Sequence, residues 1–337
     1  MLAEPTYVQR FPHRVLDSVS TKIKVLCLSL WYPLSMSRYF EKALRHRYDV
    51  ELITTGVYTG SWIPWLGGMN VPEKYAIPPD LPLPFRNDIG QINYDLIRAM
   101  LPAGWVPDIT LCIDAGIHWK YKPPEGLVVH IATDPHALNY DYQRSISDKF
   151  FNMQACYSQQ GDIYLPYAYS QYDHYPMWEV PEQATSYYPD RQVIKDTDAV
   201  LIGMPYAHRV QWVDELRKRG VSVIFENGPI FDEARALYNR GRIGLNWSSL
   251  NDLNARAFEI PAMKLYPVVN FVPDMERHES LYYHSTFQDL NEAIEMVMYA
   301  KEHPEETKEL AEKAYQAIQG QTYDARISQL LDECGFA

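Results

Sequence analysis

The feature that most constrains this sequence is a series of apolar runs alternating with helical stretches, which occurs twice along its 337 residues. In the first series the apolar runs are 22–31, 49–55, 108–114 and 127–133, and the helical stretches are 38–47, 94–101 and 142–151. Short continuous apolar runs are typical of strands that are buried on both faces of a parallel sheet. Right-handed β-α-β connections build such sheets, so the series predicts an α/β fold.

The second series follows a segment, 165–191, that is dense in Tyr and Pro and has no regular period. Its apolar runs are 199–202, 221–225, 243–247 and 268–272, its helical stretches are 209–219, 230–239 and 255–265, and the rest reads as helix. We predict two Rossmann-like domains that face a central cleft, 1–175 and 176–337, with helices at the C-terminus. The 165–191 segment is interpreted as the connector, and 58–93 as a long irregular connection.

Composition narrows the classes of protein that fit. The formal net charge is −12 and no block of Lys and Arg occurs, which disfavours a large nucleic-acid interface. No apolar run approaches the roughly 20 residues of a membrane span, and the N-terminus lacks the apolar core of a signal peptide, so we expect a cytoplasmic protein. The 26 Tyr and 8 Trp residues suit contact with carbohydrate or nucleoside, but they equally suit ordinary cores or a homodimer interface.

Several cofactor motifs are absent from the sequence. No GxGxxG follows the first apolar run, no GxxxxGK[ST] or GxSxG occurs, and neither HExxH spacing nor a CxxC pair is present. The sequence Asp196-Thr197-Asp198 resembles a metal-binding DxD motif, but it precedes an apolar run instead of following one. We therefore expect neither a cofactor nor a catalytic metal.

The loops after the strands are the expected ligand-binding positions, because open parallel sheets bind ligands beyond the carboxyl ends of their strands. After 243–247 come Asn251, Asp252 and Asn254, which favour a helix start whose free N–H groups attract phosphate. Arg256 and Lys264 would add positive charge there. Glu259, three residues beyond Arg256, can accept hydrogen bonds from ribose hydroxyls. The alternative is a capped surface helix with an internal Arg–Glu pair.

In the first predicted domain, Asp134 and His136 follow the 127–133 run. Either can act as the base that removes a proton from an acceptor hydroxyl, and we predict them as the catalytic residues. The alternative is a turn at Asp134 with a structural histidine. Asp114 ends the preceding run, and Ser35 and Arg38 lie at the start of the first helix; these three are predicted on the acceptor side, with a simple Ser cap as the alternative for Ser35.

The segment 237–271, LYNRGRIGLNWSSLNDLNARAFEIPAMKLYPVVNF, resembles the C-terminal signature of GT-B glycosyltransferases, in particular the CgeB-like group of spore-maturation proteins. The matching residues, in order, are Leu237, Tyr238, Asn239, Ile243, Leu245, Asn246, Asp252, Asn254, Arg256, Phe258, Glu259 and Ala262. The segments TDAVLIGMPYAHRVQWVDELRKRG, IATDPHALNY, IYLPYA and QTYDARISQLL resemble further parts of that family, so the similarity extends over 22–331.

This resemblance implies a GT-B fold and a role for each matching position. Glu259 matches the second glutamate of the paired-glutamate donor motif and would hold the donor ribose. Arg209 matches an arginine that contacts the diphosphate, Gly203 begins a loop that permits close backbone approach, and Asn246 ends the matching strand. The sequence departs from the family at Asn251, which stands at the first glutamate.

Other departures lie further along: 263–265 replaces a stretch in which glycine is common, and Gln321 replaces the usual histidine.

The predicted function is metal-independent transfer of a hexose from a nucleotide-diphosphate sugar, with UDP or GDP as the carrier. The acceptor is left open among small molecules, glycans, proteins and nucleic acids. Two alternatives also stay open. One is a non-catalytic protein that binds a nucleotide-sugar or glycan on the same scaffold, which Asn251 favours. The other is a glycosyltransferase acting on modified DNA bases, which the acidic charge disfavours.

Overall fold

The first half of the chain forms a parallel sheet with helices on its faces. A computed structural model describes residues 22–63, 68–83, 90–114, 116–177 and 195–336. The strands of this half are β1 (Ile23–Ser29), β2 (Val50–Val57), β3 (Trp62–Ile63), β4 (Met69–Asn70), β5 (Leu81–Leu83), β6 (Gln91–Ile92), β7 (Ile109–Asp114), β8 (His118–Trp119), β9 (Leu127–Ala132), β10 (Lys149–Asn152) and β11 (Ile163–Tyr164). Its helices are α1 (Ser37–His46), α2 (Tyr94–Met100) and α3 (Asp141–Ile146).

Seven of these strands make one sheet in the order β11-β10-β9-β7-β1-β2-β5, and every neighbouring pair is parallel. The four short strands pair separately, β3 with β4 and β6 with β8. Both faces of the large sheet are covered, because side chains on either side of β1, such as Cys27 and Leu28, belong to two different buried clusters. The alternation in the sequence predicted this parallel sheet correctly.

The second half repeats the plan with a five-stranded parallel sheet in the order β13-β12-β14-β15-β16. Its strands are β12 (Thr197–Ile202), β13 (Val223–Glu226), β14 (Gly241–Asn246), β15 (Tyr266–Asn270) and β16 (Ser285–Phe287). Its helices are α4 (Ala207–Lys218), α5 (Phe231–Arg240), α6 (Arg256–Ala262), α7 (Leu290–Glu302), α8 (Pro304–Ala317) and α9 (Tyr323–Glu333). Among the residues described, no helix is both long and apolar enough to cross a bilayer.

Two sequence-based expectations about elements were wrong. The predicted helix 142–151 ends at Ile146, and Lys149–Asn152 forms β10 instead. The Asp148 carboxylate accepts the Val128 N–H at 2.9 Å and so fixes the start of β10 beside β9. The region after 272 was expected to be helical, yet it contains β16, which pairs with β15. Both strands form by pairing with residues distant in the sequence. The local pattern of apolar residues does not reveal such pairing.

The predicted connector 165–191 is only partly described, because 178–194 lies outside the described residues. Its first part is buried: Tyr167 and Tyr169 are each 5% exposed and belong to the core of the first half. The C-terminal helix α9 joins the same core, since Tyr323 stacks on Tyr39 of α1 with ring centroids 5.1 Å apart. The chain therefore returns to the first half at its C-terminal end, and the division at 175/176 stays a prediction.

A buried amide ties the two halves together beside α6. The side-chain Nε2 of Gln154, a fully buried residue, donates to the Leu253 carbonyl at 2.9 Å, and its Oε1 accepts the Leu253 N–H at 3.1 Å. This pair of bonds copies the pattern of a strand ladder. The loop that leads into α6 is therefore fixed against the first half.

Close packing fixes α6 on its own sheet as well. A Cβ added at Gly244 of β14 would lie 2.3 Å from Cγ2 and 3.1 Å from Cγ1 of Ile260 of α6. Non-bonded carbon atoms do not approach so closely. The helix α6 can therefore pack this close to β14 only because residue 244 has no side chain.

We expect Gly244→Ala to lower the free energy of unfolding by about 1–3 kcal/mol, because overpacking displaces α6. Ile260→Ala alone should cost about 2–5 kcal/mol through the cavity it leaves. In the double variant the added methyl enters that cavity, so the combined cost should be smaller than the sum. Urea unfolding of the four proteins measures this coupling, and strictly additive costs would contradict the proposed contact.

Candidate donor and acceptor site

Two arginines from different helices meet at one glycine in the second half. Gly203 follows β12 and adopts φ +148°, a backbone conformation that side chains other than glycine rarely take. A Cβ at this position would lie 2.8 Å from Nη2 of Arg256 and 3.1 Å from Nη1 of Arg209. The missing side chain thus leaves room for both guanidinium groups at the carboxyl edge of the sheet. The structure brings together three of the predicted donor residues.

Arg209 is a buried arginine, only 4% exposed, and hydrogen bonds hold its side chain in place. Its Nε and Nη2 donate to the Trp247 carbonyl at 2.8 and 2.6 Å, and Nη1 donates to the Met204 carbonyl at 3.2 Å. Burial, together with the positive charge of Arg256, lowers the pKa of Arg209 to about 10. The side chain still carries its charge at pH 7, at an energetic cost that a bound anion would offset.

The negative charge of Asp252 acts on Arg209, but no carboxylate in the described part of the chain is close enough to form an ion pair with either arginine. Neither Arg209 nor Arg256 has an ion-pair partner there, although the structure contains many other Arg–carboxylate pairs. The alternative reading of an internal Arg256–Glu259 pair is therefore not what the structure shows. Two unneutralised guanidinium groups at a strand end make a site for an anion with several oxygens.

The start of α6 contributes differently from what the sequence suggested. Asn254 Oδ1 accepts the Arg256 N–H at 3.1 Å, the Asn254 carbonyl accepts the Ala257 N–H at 3.2 Å, and the Ala255 carbonyl accepts the Phe258 N–H at 2.9 Å. The N–H groups expected to attract phosphate are already occupied. The side-chain Nδ2 of Asn246 donates to Asn254 Oδ1 at 3.0 Å and so supports this turn. Positive charge at the site comes from side chains, not from the helix end.

Asn251 and Lys264 are placed differently from the two arginines. Asn251 is exposed in the loop before α6 with φ +53°, a conformation that Asn tolerates better than Glu does. Lys264 follows the other end of α6, where Nζ lies 3.1 Å from Glu312 and 4.4 Å from the centre of the Tyr315 ring. The structure therefore does not bring Lys264 to the predicted donor site, because α6 ends before it.

Glu259 points toward the first half of the chain. Its Oε1 lies 3.5 Å from Nε2 of His174, and the His174 Nδ1 accepts the Ser170 N–H at 3.1 Å. Burial raises the pKa of Tyr39 well above its usual range, and the nearby negative charge of Glu259 raises it further. Sequence reasoning missed His174 and Tyr39: His174 lies in the segment taken as a connector, and no spacing linked either residue to Glu259.

A pocket of about 190 Å³ opens at the carboxyl edge of the first sheet. Its lining combines residues at or just after the ends of β1, β7, β9 and β11: Ser29, Tyr32, Leu34, Ser35, Met36, Ser37, Ile113, Thr133, Asp134 and Tyr167. Two predicted residues, Ser35 and Asp134, share this pocket. The rule that ligands bind beyond strand ends thus selects the same place from the sequence and from the structure.

Asp134 is fixed within the pocket by a neighbouring side chain. Its Oδ2 accepts a hydrogen bond from Thr133 Oγ1 at 2.9 Å. Tyr167 OH donates to the Thr133 carbonyl at 2.7 Å. Burial raises the pKa of Tyr167 well above its usual range, and the carboxylates of Asp134 and Asp252 both raise it further. Tyr167 therefore lines the same pocket as the predicted base, and the negative charges of Asp134 and of Asp252, in the loop before α6, both act on it.

The other residues predicted in the first half, one catalytic and two on the acceptor side, are not in this pocket. Arg38 is 8% exposed and engaged by Glu41 at 3.1 Å, by the Ile77 carbonyl and by the Trp31 ring. His136 lies outside the pocket of Asp134, in a second pocket described below. Asp114 ends β7 as predicted. Arg38 acts here as a structural residue.

Among the described residues, no group of three or more His, Cys, Asp or Glu side chains is arranged to hold a metal ion. The Asp196 carboxylate of the DxD-like sequence is bound to Arg240 at 3.0 Å, and Asp198 to Lys301 at 2.9 Å. Both carboxylates thus have structural partners.

Comparison with known proteins agrees with this architecture. Residues 191–332 match the model of a family described as "Glycosyl transferase-like". No curated protein matches the chain at a significant level. Among solved structures, sucrose-phosphate synthase from Thermosynechococcus elongatus is 12% identical with a TM-score of 0.56, over 93% of this chain and 99% of that one.

Two further structures are similar over nearly their whole length. A glycosyltransferase from Rickettsia africae is 9% identical with a TM-score of 0.59, covering 93% of this chain and 98% of that one. The structure of S. aureus MnaA with UDP is 11% identical with a TM-score of 0.50, covering 94% and 98%. Identities this low establish the fold alone. They show the two Rossmann-like domains of the GT-B fold, and the match to the glycosyl transferase-like family covers 191–332, less than half of the chain.

Proposed function

We propose that this chain transfers a hexose from a nucleoside diphosphate sugar without a metal ion, as a member of the CgeB-like group that 237–271 resembles. The observation that carries the proposal is the meeting of Arg209 and Arg256 at Gly203, with no carboxylate partner among the described residues. A diphosphate offers several oxygens to these planar donors. Its negative charge would also relieve the repulsion between the two guanidinium groups.

The same pair gives the site a means of catalysis. When the bond between the anomeric carbon and the diphosphate breaks, negative charge accumulates on the leaving oxygens. Fixed positive groups that are aimed at this charge lower the barrier, because they need no reorganisation during the reaction. Three of the five N–H groups of Arg209 are used by protein carbonyls, so the guanidinium is held in place while two N–H groups stay available.

Glu259 would hold the ribose of the donor. A carboxylate can accept hydrogen bonds from two neighbouring hydroxyl groups, and His174 at 3.5 Å limits the directions in which this carboxylate can point. A uridine nucleotide is favoured by the structural similarity to MnaA, which was determined with UDP. GDP stays the second choice of carrier.

Asp134 would remove the proton from the acceptor. In the proposed reaction an acceptor hydroxyl enters the 190 Å³ pocket, its oxygen attacks the anomeric carbon, the diphosphate leaves and the proton passes to Asp134. Tyr167, which also lines this pocket, donates to the carbonyl of Thr133, the residue before Asp134, and so helps to position the base.

A non-catalytic nucleotide-sugar or glycan-binding protein is the second candidate, because Asn251 replaces a glutamate of the donor motif. Incubation with a panel of UDP-, GDP- and TDP-sugars, with measurement of nucleotide release, separates the two. An enzyme turns over at least one donor, whereas a binding protein only retains it.

A DNA acceptor would be revealed by a mobility shift of duplex DNA, which the net charge of −12 disfavours. A cytoplasmic location and a homodimer stay predictions.

We predict that Arg256→Gln weakens UDP or GDP binding about tenfold to a hundredfold, the scale expected when a charged hydrogen bond is lost. Titration calorimetry measures the affinity. The free protein should unfold at the same temperature or a higher one, because the variant also removes a repulsion from Arg209.

Arg219→Gln is the matched control for this prediction, since Arg219 is exposed at the end of α4. It should leave nucleotide affinity unchanged. A folded Arg256→Gln protein that binds both nucleotides as tightly as the parent would overturn the donor assignment.

A second prediction concerns Asp134→Asn, which keeps the shape of the side chain but cannot accept the proton. Nucleotide affinity should not change, whereas the rate of nucleotide release from the sugar donor should fall by about two to four orders of magnitude. Asp214→Asn, at an exposed position of α4, is the control. An undiminished rate would show that Asp134 is not the base.

A further inference from the structure

A second pocket, of about 370 Å³, lies on the other side of the loop that carries Asp134. The polar side chains that line it are His136, Asn139, Asp141, Arg144, Tyr157 and Gln159. Asp134 lines the first pocket and Pro135 lines the second, so one peptide unit separates the two linings. A volume of this size is within the range of ligand sites. The donor machinery described above does not use it.

Charge in this second pocket argues against an anionic ligand. The Arg144 guanidinium binds Asp162 through two bonds of 2.9 Å and also packs on the Phe150 ring, so its charge is already balanced. The Asp141 side chain is 70% exposed, at 3.5 Å from Arg144. The pocket therefore has one carboxylate more than its arginine can balance, and it should repel phosphate, sulfate or uronate groups.

The remaining groups suit a neutral ligand with many hydroxyl groups. Tyr157 is 40% exposed and lies beside His136, with ring centroids 6.0 Å apart, so it offers an aromatic face to the pocket. Nδ1 of His136 is buried, and no described residue forms a hydrogen bond with it. Asn139 and Gln159 add amide donors and acceptors. An aromatic face bordered by amides and a carboxylate is an arrangement that binds sugar rings.

We propose that the second pocket binds the next sugar unit of a neutral saccharide acceptor whose reacting end lies beside Asp134. This inference rests on the proposed function and narrows the acceptor to neutral glycans of at least two units. It also gives His136 a role as an acceptor-binding residue instead of a base, since it lies in the pocket that Asp134 does not line.

The test is binding of the full chain to an array of defined saccharides, in the absence of nucleotide. The array contains neutral di- and trisaccharides and an acidic set carrying uronic acid or sulfate groups. We expect binding to members of the neutral set and not to the acidic set. Tyr157→Ala should weaken that binding at least tenfold, whereas Tyr48→Ala, at a position that is 89% exposed and outside the pocket, should not. Asp141→Asn should admit acidic saccharides.

Three results would overturn the inference: no binding of any neutral saccharide, a preference for the acidic set, or binding that Tyr157→Ala leaves intact. UDP and GDP affinity of the same preparations is measured in parallel. Saccharide binding that fails while nucleotide binding persists refutes the acceptor pocket alone, whereas the reverse refutes the donor site alone. Arg256→Gln should lose nucleotide affinity and keep saccharide binding.

Discussion

The repulsion between two guanidinium groups at one glycine is the constraint on which this site depends. Arg209 and Arg256 come from different helices and both lie against Gly203, where any side chain would displace them. The protein tolerates this arrangement because carbonyl groups fix Arg209 and because α6, which carries Arg256, packs closely on Gly244. The cost of holding like charges together falls when an anion binds, and we propose that this anion is the diphosphate of the donor.

The two halves of the molecule are coupled at the same place. Gln154 fixes the loop before α6 to the first half of the chain, and Glu259 lies 3.5 Å from His174. The donor residues thus belong to the second sheet, but their positions are set partly by the first. Under the proposed function, this arrangement would let a base on one half act on a sugar that is held by the other.

Much of the fold could be predicted from the sequence, because buried parallel strands leave continuous apolar runs. Arg256 was predicted from its place near the start of a helix, and Arg209 and Gly203 from the resemblance to a known signature; the structure brings these three residues together. β10 could not be predicted because it forms by pairing with the distant β9. The other two differences arise locally at α6: the helix ends before Lys264, whose Nζ lies 3.1 Å from Glu312, and Asn254 and Ala255 accept the N–H groups at the helix start.

A crystal structure with UDP or GDP tests the central claim most directly. The account predicts that diphosphate oxygens lie within about 2.7–3.1 Å of nitrogen atoms of both Arg209 and Arg256, with the ribose hydroxyls at Glu259. A nucleotide bound elsewhere, with both guanidinium groups left without an anionic partner, would contradict it.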